Sequence, residues 1–333
     1  MRRLGRLRVL AGGVGVGAVL AAASGVASAD PSTDAHSWID ELLRGIALPA
    51  DPTSSLDIQI SIFGIDLFPI ADNTATATSG IGSLSIAVGA GANADSSGIL
   101  DFAFADGADS SAGAGLVGSF DTAIAEGANS VAGAGVAGNF DVAFADGAAS
   151  HAGAGVNSNF DLASAVGAGS TADSGVGGSF EAASADGTSS TASAGLGFFG
   201  TATALGNGSE ANVAGSIDSA FVNGANSIAQ AVAGNFDSAT VSGDNSSAIA
   251  QYGSFDLASV FDNGSTADLA RAGGDPSVLG SFDLASIVGA GSTAEAGADL
   301  TAAGNLDLAA VFGDMLNAIA TGENFLAVIL PSL

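Results

Sequence analysis

Acidic side chains are the residues of this chain best placed to do chemistry. Asp101, Asp121, Asp141, Asp161 and Glu181 recur twenty residues apart, and the column resumes at Asp218, Asp237, Asp256, Asp283 and Asp307. A second set, Asp106, Glu126, Asp146 and Asp186, follows five residues behind the first and is broken by Val166. Carboxylates so arranged have three uses. They can cap backbone N–H groups at turns, a common role of Asp. They can bridge cations such as Ca2+, which takes carboxylate oxygens. A suitably spaced pair can also run glycoside hydrolysis as acid and base. Stacked at strand spacing, neighbouring carboxylates repel by roughly 0.9 kcal/mol even in water. Each step of the column must therefore gain something in return. Capping is the expected gain, and a weak Ca2+-type ladder on Asp101, Asp121, Asp141, Asp161 and Glu181 is the alternative. The G-G-x-G-x-D pattern of calcium-binding β-roll repeats does not surround these acids.

Other catalytic parts are scarce. The chain has two histidines, His36 and His151, one tyrosine, Tyr252, no cysteine and no lysine. His151 lies in a column of variable residues, which reads as surface. Serine is abundant, but no G-x-S-x-G precedes a strand-to-helix turn. The acids recur at repeat positions, which reads as architecture. The expectation is a protein without catalytic activity and without a cofactor.

The repeat must position the acids. Phe120, Phe140, Phe160 and Phe180 fall twenty residues apart, and the register continues at Ile217, Phe236, Phe255, Phe282 and Leu306. Each unit carries two alternating segments, F-D-x-A-x-A and S-x-A-x-A. Ala103, Ala123, Ala143, Ala163 and Ala183 form one uniform column, and Ala105, Ala125, Ala145, Ala165 and Ala185 another. The positions between them vary freely. Period-two alternation specifies strands, with the uniform small column inside and the varied column outside. Gly107, Gly127, Gly147 and Gly167 sit where the chain must turn. Stacking such units gives an all-β parallel β-solenoid of about twenty residues per coil. Strict alternation from Ala123 places Asp121 inside and Phe120 outside, whereas a bend at the strand start would reverse the two. In either case the phenylalanines would stack as an aromatic ladder.

The ends differ from the middle. Arg2, Arg3, Arg6 and Arg8, an apolar run from Val9 to Val26 and the small residues Ala27-Ser28-Ala29 read as a signal peptide over 1–29. Its removal leaves only Arg44 and Arg271 against 34 acids. Such a charge repels nucleic acid. No later stretch reads as a transmembrane segment. Residues 30–82 are expected to form an N-terminal helix and strand cap, with a helix over 34–45 and alternation at Leu56, Ile58, Ile60 and Ile62. The solenoid is expected over 83–310, with a short helical cap over 311–333. Departures from the period near 195–215 and 260–280 predict loops or a kink.

The unit Ala128-Asn-Ser-Val-Ala-Gly-Ala-Gly135, like Ser85-Ile-Ala-Val-Gly-Ala-Gly-Ala92, resembles the head repeats of trimeric autotransporter adhesins. That resemblance implies a left-handed parallel β-roll. The chain departs from that family in its longer period, and in having neither a heptad stalk nor a C-terminal barrel anchor. The Arg-rich start, the acidic Gly/Ala repeats and Ile62-Phe-Gly-Ile-Asp-Leu-Phe-Pro69 resemble exported Ala/Gly-rich proteins of mycobacteria and related actinobacteria. This second resemblance implies a secreted or cell-envelope location.

Phe102, Phe104, Ile124, Val142, Phe144 and Leu162 are outward-parity apolar residues of the early coils, while later counterparts such as Ser164 and Ser184 are polar. They predict an interaction patch, for an envelope or host-surface component or for self-association, unless the opening segment covers it. The expected role is structural or adhesive, with a secreted cation- or glycan-binding solenoid as the alternative.

Overall fold

Alanine alternating with variable residues becomes strand through residues 76–329. The structure, a computed structural model, describes residues 57–67, 73–232, 234–251, 254–261, 269–272, 282–297, 306–320 and 326–330. Each coil gives one strand to each of two sheets, of fifteen and thirteen strands. The coil containing Thr122–Glu126 and Val131–Val136 is typical. Coils stack in parallel and in register, with Ala123 paired to Ala143 and Ala143 to Ala163. The fold is thus the expected parallel β-solenoid, of about 11 turns roughly twenty residues apart.

The two sheets face each other across a core of methyl groups. Ala103, Ala123, Ala143 and Ala163, and their counterparts Ala112, Ala132, Ala152 and Ala172, are fully buried or nearly so. Any larger side chain in both columns would push the sheets apart. Later coils use Val222, Val241, Val260, Ile287 and Val311 in one column, all fully buried, while Ala231, Ala250 and Ala296 keep the facing column small. Size is therefore traded across the core.

The corners decide which side chains enter. One corner is a G-x-x-S turn in which the buried Ser130 hydroxyl donates to the Gly127 carbonyl at 2.8 Å; Ser150 and Ser170 repeat it. At the other corner Phe120 takes a left-handed φ of 63° and Phe140 one of 61°. That turn leaves the alternation intact, so Asp121 points inward and Phe120 outward. The rings stack face to face, with centroids 4.8 Å apart for Phe120–Phe140 and 5.0 Å for Phe140–Phe160. Left-handed backbone costs a bulky residue about 1–3 kcal/mol. Two stacking neighbours return a similar amount, about 0.5–1.5 kcal/mol each. The ladder therefore offsets the strain of the corner and adds little net stability, and Leu100 and Ile217 make the same corner without a ring stack.

Near residue 200 the period shortens instead of opening a loop. Ala182 pairs with Thr201 and Thr201 with Ser219, so these coils remain in register where a loop or kink is expected. Residues 262–268 and 273–281, the second predicted irregularity, lie outside the described residues.

The ends correct one expectation and leave another open. Ile58–Ile62 forms the predicted strand and runs antiparallel to Leu84–Val88, closing the edge of the larger sheet. The predicted helix over 34–45 lies outside the described residues. At the other end the described residues of the predicted helical cap over 311–333 form strands and a corner, with no helix. Asp307–Phe312, Asn317–Ala320 and Leu326–Ile329 all continue the parallel sheets. Gly313 and Met315 adopt positive φ, as Gly107 and Asp109 do, so Gly313-Asp-Met-Leu316 is one more corner of the solenoid. Among the described residues there is no helix.

Candidate functional site

The acid column lies inside the solenoid, at the start of each strand of the larger sheet. Asp101, Asp121, Asp141, Asp161 and Glu181 are at most 2% exposed. Asp218, Asp237, Asp256, Asp283 and Asp307 are buried in the same way. One oxygen of each aspartate from Asp101 to Asp283 in the column is spent on the backbone of the next coil. Asp101 Oδ1 accepts from Asp121 N–H at 2.9 Å, Asp121 Oδ1 from Asp141 N–H at 2.9 Å, and Asp141 Oδ1 from Asp161 N–H at 3.0 Å. Glu181 N–H continues the chain to Asp161 Oδ1 at 2.9 Å. Ser83 begins it, its hydroxyl oxygen accepting from Asp101 N–H at 3.0 Å. A carboxylate thus stands where the strand's own ladder has no carbonyl to offer.

The second oxygen packs against glycine. Asp121 Oδ2 and Asp141 Oδ2 are buried and receive no hydrogen bond. A Cβ placed on Gly135 would lie 2.0 Å from Asp121 Oδ2, and one on Gly155 would lie 1.9 Å from Asp141 Oδ2. Gly115, Gly175 and Gly297 stand in the same relation to Asp101, Asp161 and Asp283. Each of these glycines also has φ near +70°. The coupling is written in the sequence as Asp followed by Gly fourteen residues later, a spacing visible only once the corner is known.

The column has one gap, and it is compensated. The register places Gly200 where an Asp would follow Glu181. Glu181 is longer and uses both oxygens, Oε2 accepting from Gly175 N–H and Oε1 from Gly197 N–H, each at 2.8 Å. A Cβ on Gly200 would meet Val213 Cγ1 at 3.2 Å and Glu181 Cγ at 4.0 Å. Glu181 and Val213 together fill the place of the missing acid.

Burial governs the ionisation of the column. Desolvation pushes Asp121 up to about 6, opposed by the Asp141 N–H bond and reinforced by Asp101. Asp141 rises to about 7, again mainly by burial, with Asp121 and Asp161 adding repulsion. Asp256 rises to about 8 through burial and then Asp237 and Asp283. Two ionised rungs about 4.8 Å apart repel by roughly 3.5 kcal/mol at an effective dielectric of about 20. Protonating a carboxyl of ordinary value 3.8 at pH 7 costs about 4.4 kcal/mol, which two ionised neighbours together exceed. Protonation of some rungs near neutral pH is the cheaper state.

The remaining predicted residues lie on the surface. Phe102, Val142 and Leu162 share one outward column of the larger sheet with Thr122, and Phe104, Ile124 and Phe144 occupy the next. The sheet thus brings the predicted patch together; Val142 and Leu162 are exposed and the other four half-buried. Asp106, Glu126 and Asp146 stack at the far end of the same strands. His151 lies on the other sheet, with Nε2 3.6 Å from Asp173 Oδ1. His36 lies outside the described residues. Among the described residues no group of three or more metal-binding side chains converges. The chain matches no protein-family model, and no curated protein is significantly similar to it.

Proposed function

We propose that the chain is an exported structural or adhesive repeat protein of the cell envelope and that its acid column serves the fold. The observation that carries this reading is the use of the carboxylates. One oxygen accepts from the next coil's N–H, and the other is closed off by glycine. Such an oxygen has no path to a substrate. What the coils present outward is long rows of repeated side chains, the material of contact surfaces. The resemblance to exported Ala/Gly-rich proteins, together with the Arg-rich start, supports the envelope location. Fractionation of cells carrying a tagged chain tests it. Retention with the envelope is expected; complete release into the medium would contradict it.

The cation-binding alternative has its own test. Thermal unfolding is measured with millimolar calcium and with a chelator. The capping reading expects equal midpoints. A calcium-dependent rise would make the column a cation ladder.

A further inference from the structure

The corner that carries the phenylalanine ladder is a second apolar surface, distinct from the Phe102–Leu162 patch. Phe120, Phe140, Phe160 and Phe180 are 46–50% exposed, and Phe199 reaches 56%. Phe236, Phe255 and Phe282 continue the row at 47–50%, and Ile217 bridges the two runs at 47%. Beside the rings stand Val136, Val156 and Val176, exposed at 39–49% and paired in register. A phenylalanine offers about 150–250 Å². Eight half-exposed rings therefore leave roughly 600–1,000 Å² of apolar surface on one line. That exceeds the about 300–600 Å² patch of an ordinary monomer and matches the roughly 800 Å² that each partner buries in a stable interface.

Charge is sorted between the two corners. The segments 115–120, 135–140, 155–160, 175–180 and 195–200 contain no charged residue, in a chain with 34 acids. The opposite corner and the strand ends leading to it carry Asp106, Asp109, Glu126, Asp146, Asp186 and Asp244. Two copies of so acidic a protein can approach only where the acids are absent. The ring spacing also selects the partner. A row repeating every 4.8–5.0 Å stays in step along its length only with a row of the same repeat. The stacked faces are occupied by neighbouring rings, which leaves ring edges to interlock with a facing row.

We infer that two copies of this chain pair along their phenylalanine corners, related by a two-fold axis so that the ladders run in opposite directions. Two-fold pairs are the commonest closed assemblies, and they use the same surface on both partners. The acidic corners then lie on the outer sides, as far apart as the pair allows. The inference does not depend on where the chain resides.

Sedimentation velocity on the full chain tests it, in moderate salt and over a wide concentration range. A dimer is expected. Val136→Glu combined with Val176→Glu places four like charges in the interface, and should yield monomer with an unchanged far-ultraviolet circular dichroism spectrum. Thr188→Glu, at the opposite corner, should remain dimeric. Should the double variant fold poorly, a spin label on Leu196→Cys, exposed at the middle of the row and so beside the two-fold axis, reads the same contact by dipolar broadening from its mate; the chain has no other cysteine. Wild-type monomer at all concentrations, a dimer surviving the double variant, or an unbroadened label would overturn the pairing. So would flotation of monomer with neutral phosphatidylcholine vesicles, which would assign the corner to lipid.

Discussion

Asp141 shows how one side chain is bound by three constraints. Its Oδ1 must accept from Asp161 N–H, its Oδ2 must fit against Gly155, and its charge must tolerate Asp121 and Asp161. Its carboxyl rises to about 7 in the fold from an ordinary value of 3.8. The folded state thus binds the proton more tightly than the unfolded state. The stability this contributes is complete below pH 3.8 and is lost as pH rises through about 7. Asp141→Asn keeps an oxygen acceptor and removes the charge. It should raise the unfolding midpoint at pH 8 by about 2–4 °C, the shift expected of about 1 kcal/mol in a domain of this size, and by clearly less at pH 5, where the folded carboxyl is already protonated. Equal effects at both pH values would refute the charge argument. The glycine partner is equally constrained. Gly135→Ala meets Asp121 Oδ2 and an unfavourable φ of +69° together. Chemical denaturation should show a loss of at least about 3 kcal/mol, since strain and displacement of a buried polar group add. A loss below about 1 kcal/mol would mean that the corner yields easily.

At the scale of the element, the phenylalanine ladder balances stacking against backbone strain. The two can be separated at Phe140, where φ is 61°. Phe140→Ala loses both stacking contacts and keeps the strain. Phe140→Gly loses the same contacts but relieves the strain, and should be more stable than the Ala variant by up to about 1 kcal/mol in denaturant unfolding. The reverse order would place the ladder's role elsewhere. The elements were legible to unequal degrees. Ala123, Ala143 and Ala163 announce strands because a uniform column with period two, with Phe recurring every twenty residues, is not what a disordered Ala/Gly-rich chain requires. The inward Asp121 is one of two placements the sequence allows, and the observed corner decides between them. The left-handed φ of Phe120 is not legible, because bulky residues avoid that region; Leu100 and Ile217 adopt it at the same corner position without a ring stack. Gly200 was hidden because its meaning lies in Glu181 and Val213, which are neighbours only in the folded register. The C-terminal coil was hidden because Leu316 stands where earlier corners have a capping serine, so Gly313-Asp-Met-Leu316 lacks the turn's marker. The acid column itself was plain from spacing alone. Its burial was one of two placements the alternation allowed, and its glycine cradle was not legible.

For the whole molecule, two long sheets are held apart by little more than methyl groups and are pinned at most coils by a carboxylate and a serine turn. Each coil contacts only its neighbours, so stability accumulates along the stack. The column contributes to that sum in a pH-dependent way. Asp121, Asp237 and Asp283 rise to about 6, Asp141 to about 7 and Asp256 to about 8. Most acidic proteins lose stability on acidification because paired carboxylates must be protonated. This one should gain it, because its buried carboxylates are relieved by protonation. Thermal unfolding of the wild-type chain at pH 8 and at pH 5 tests that claim most directly. A midpoint higher at pH 5 by at least about 5 °C is expected, from a few kcal/mol shared over these rungs. A lower midpoint at pH 5 would contradict the account, because it would mean that the column is held in the charged state by something other than the coils themselves.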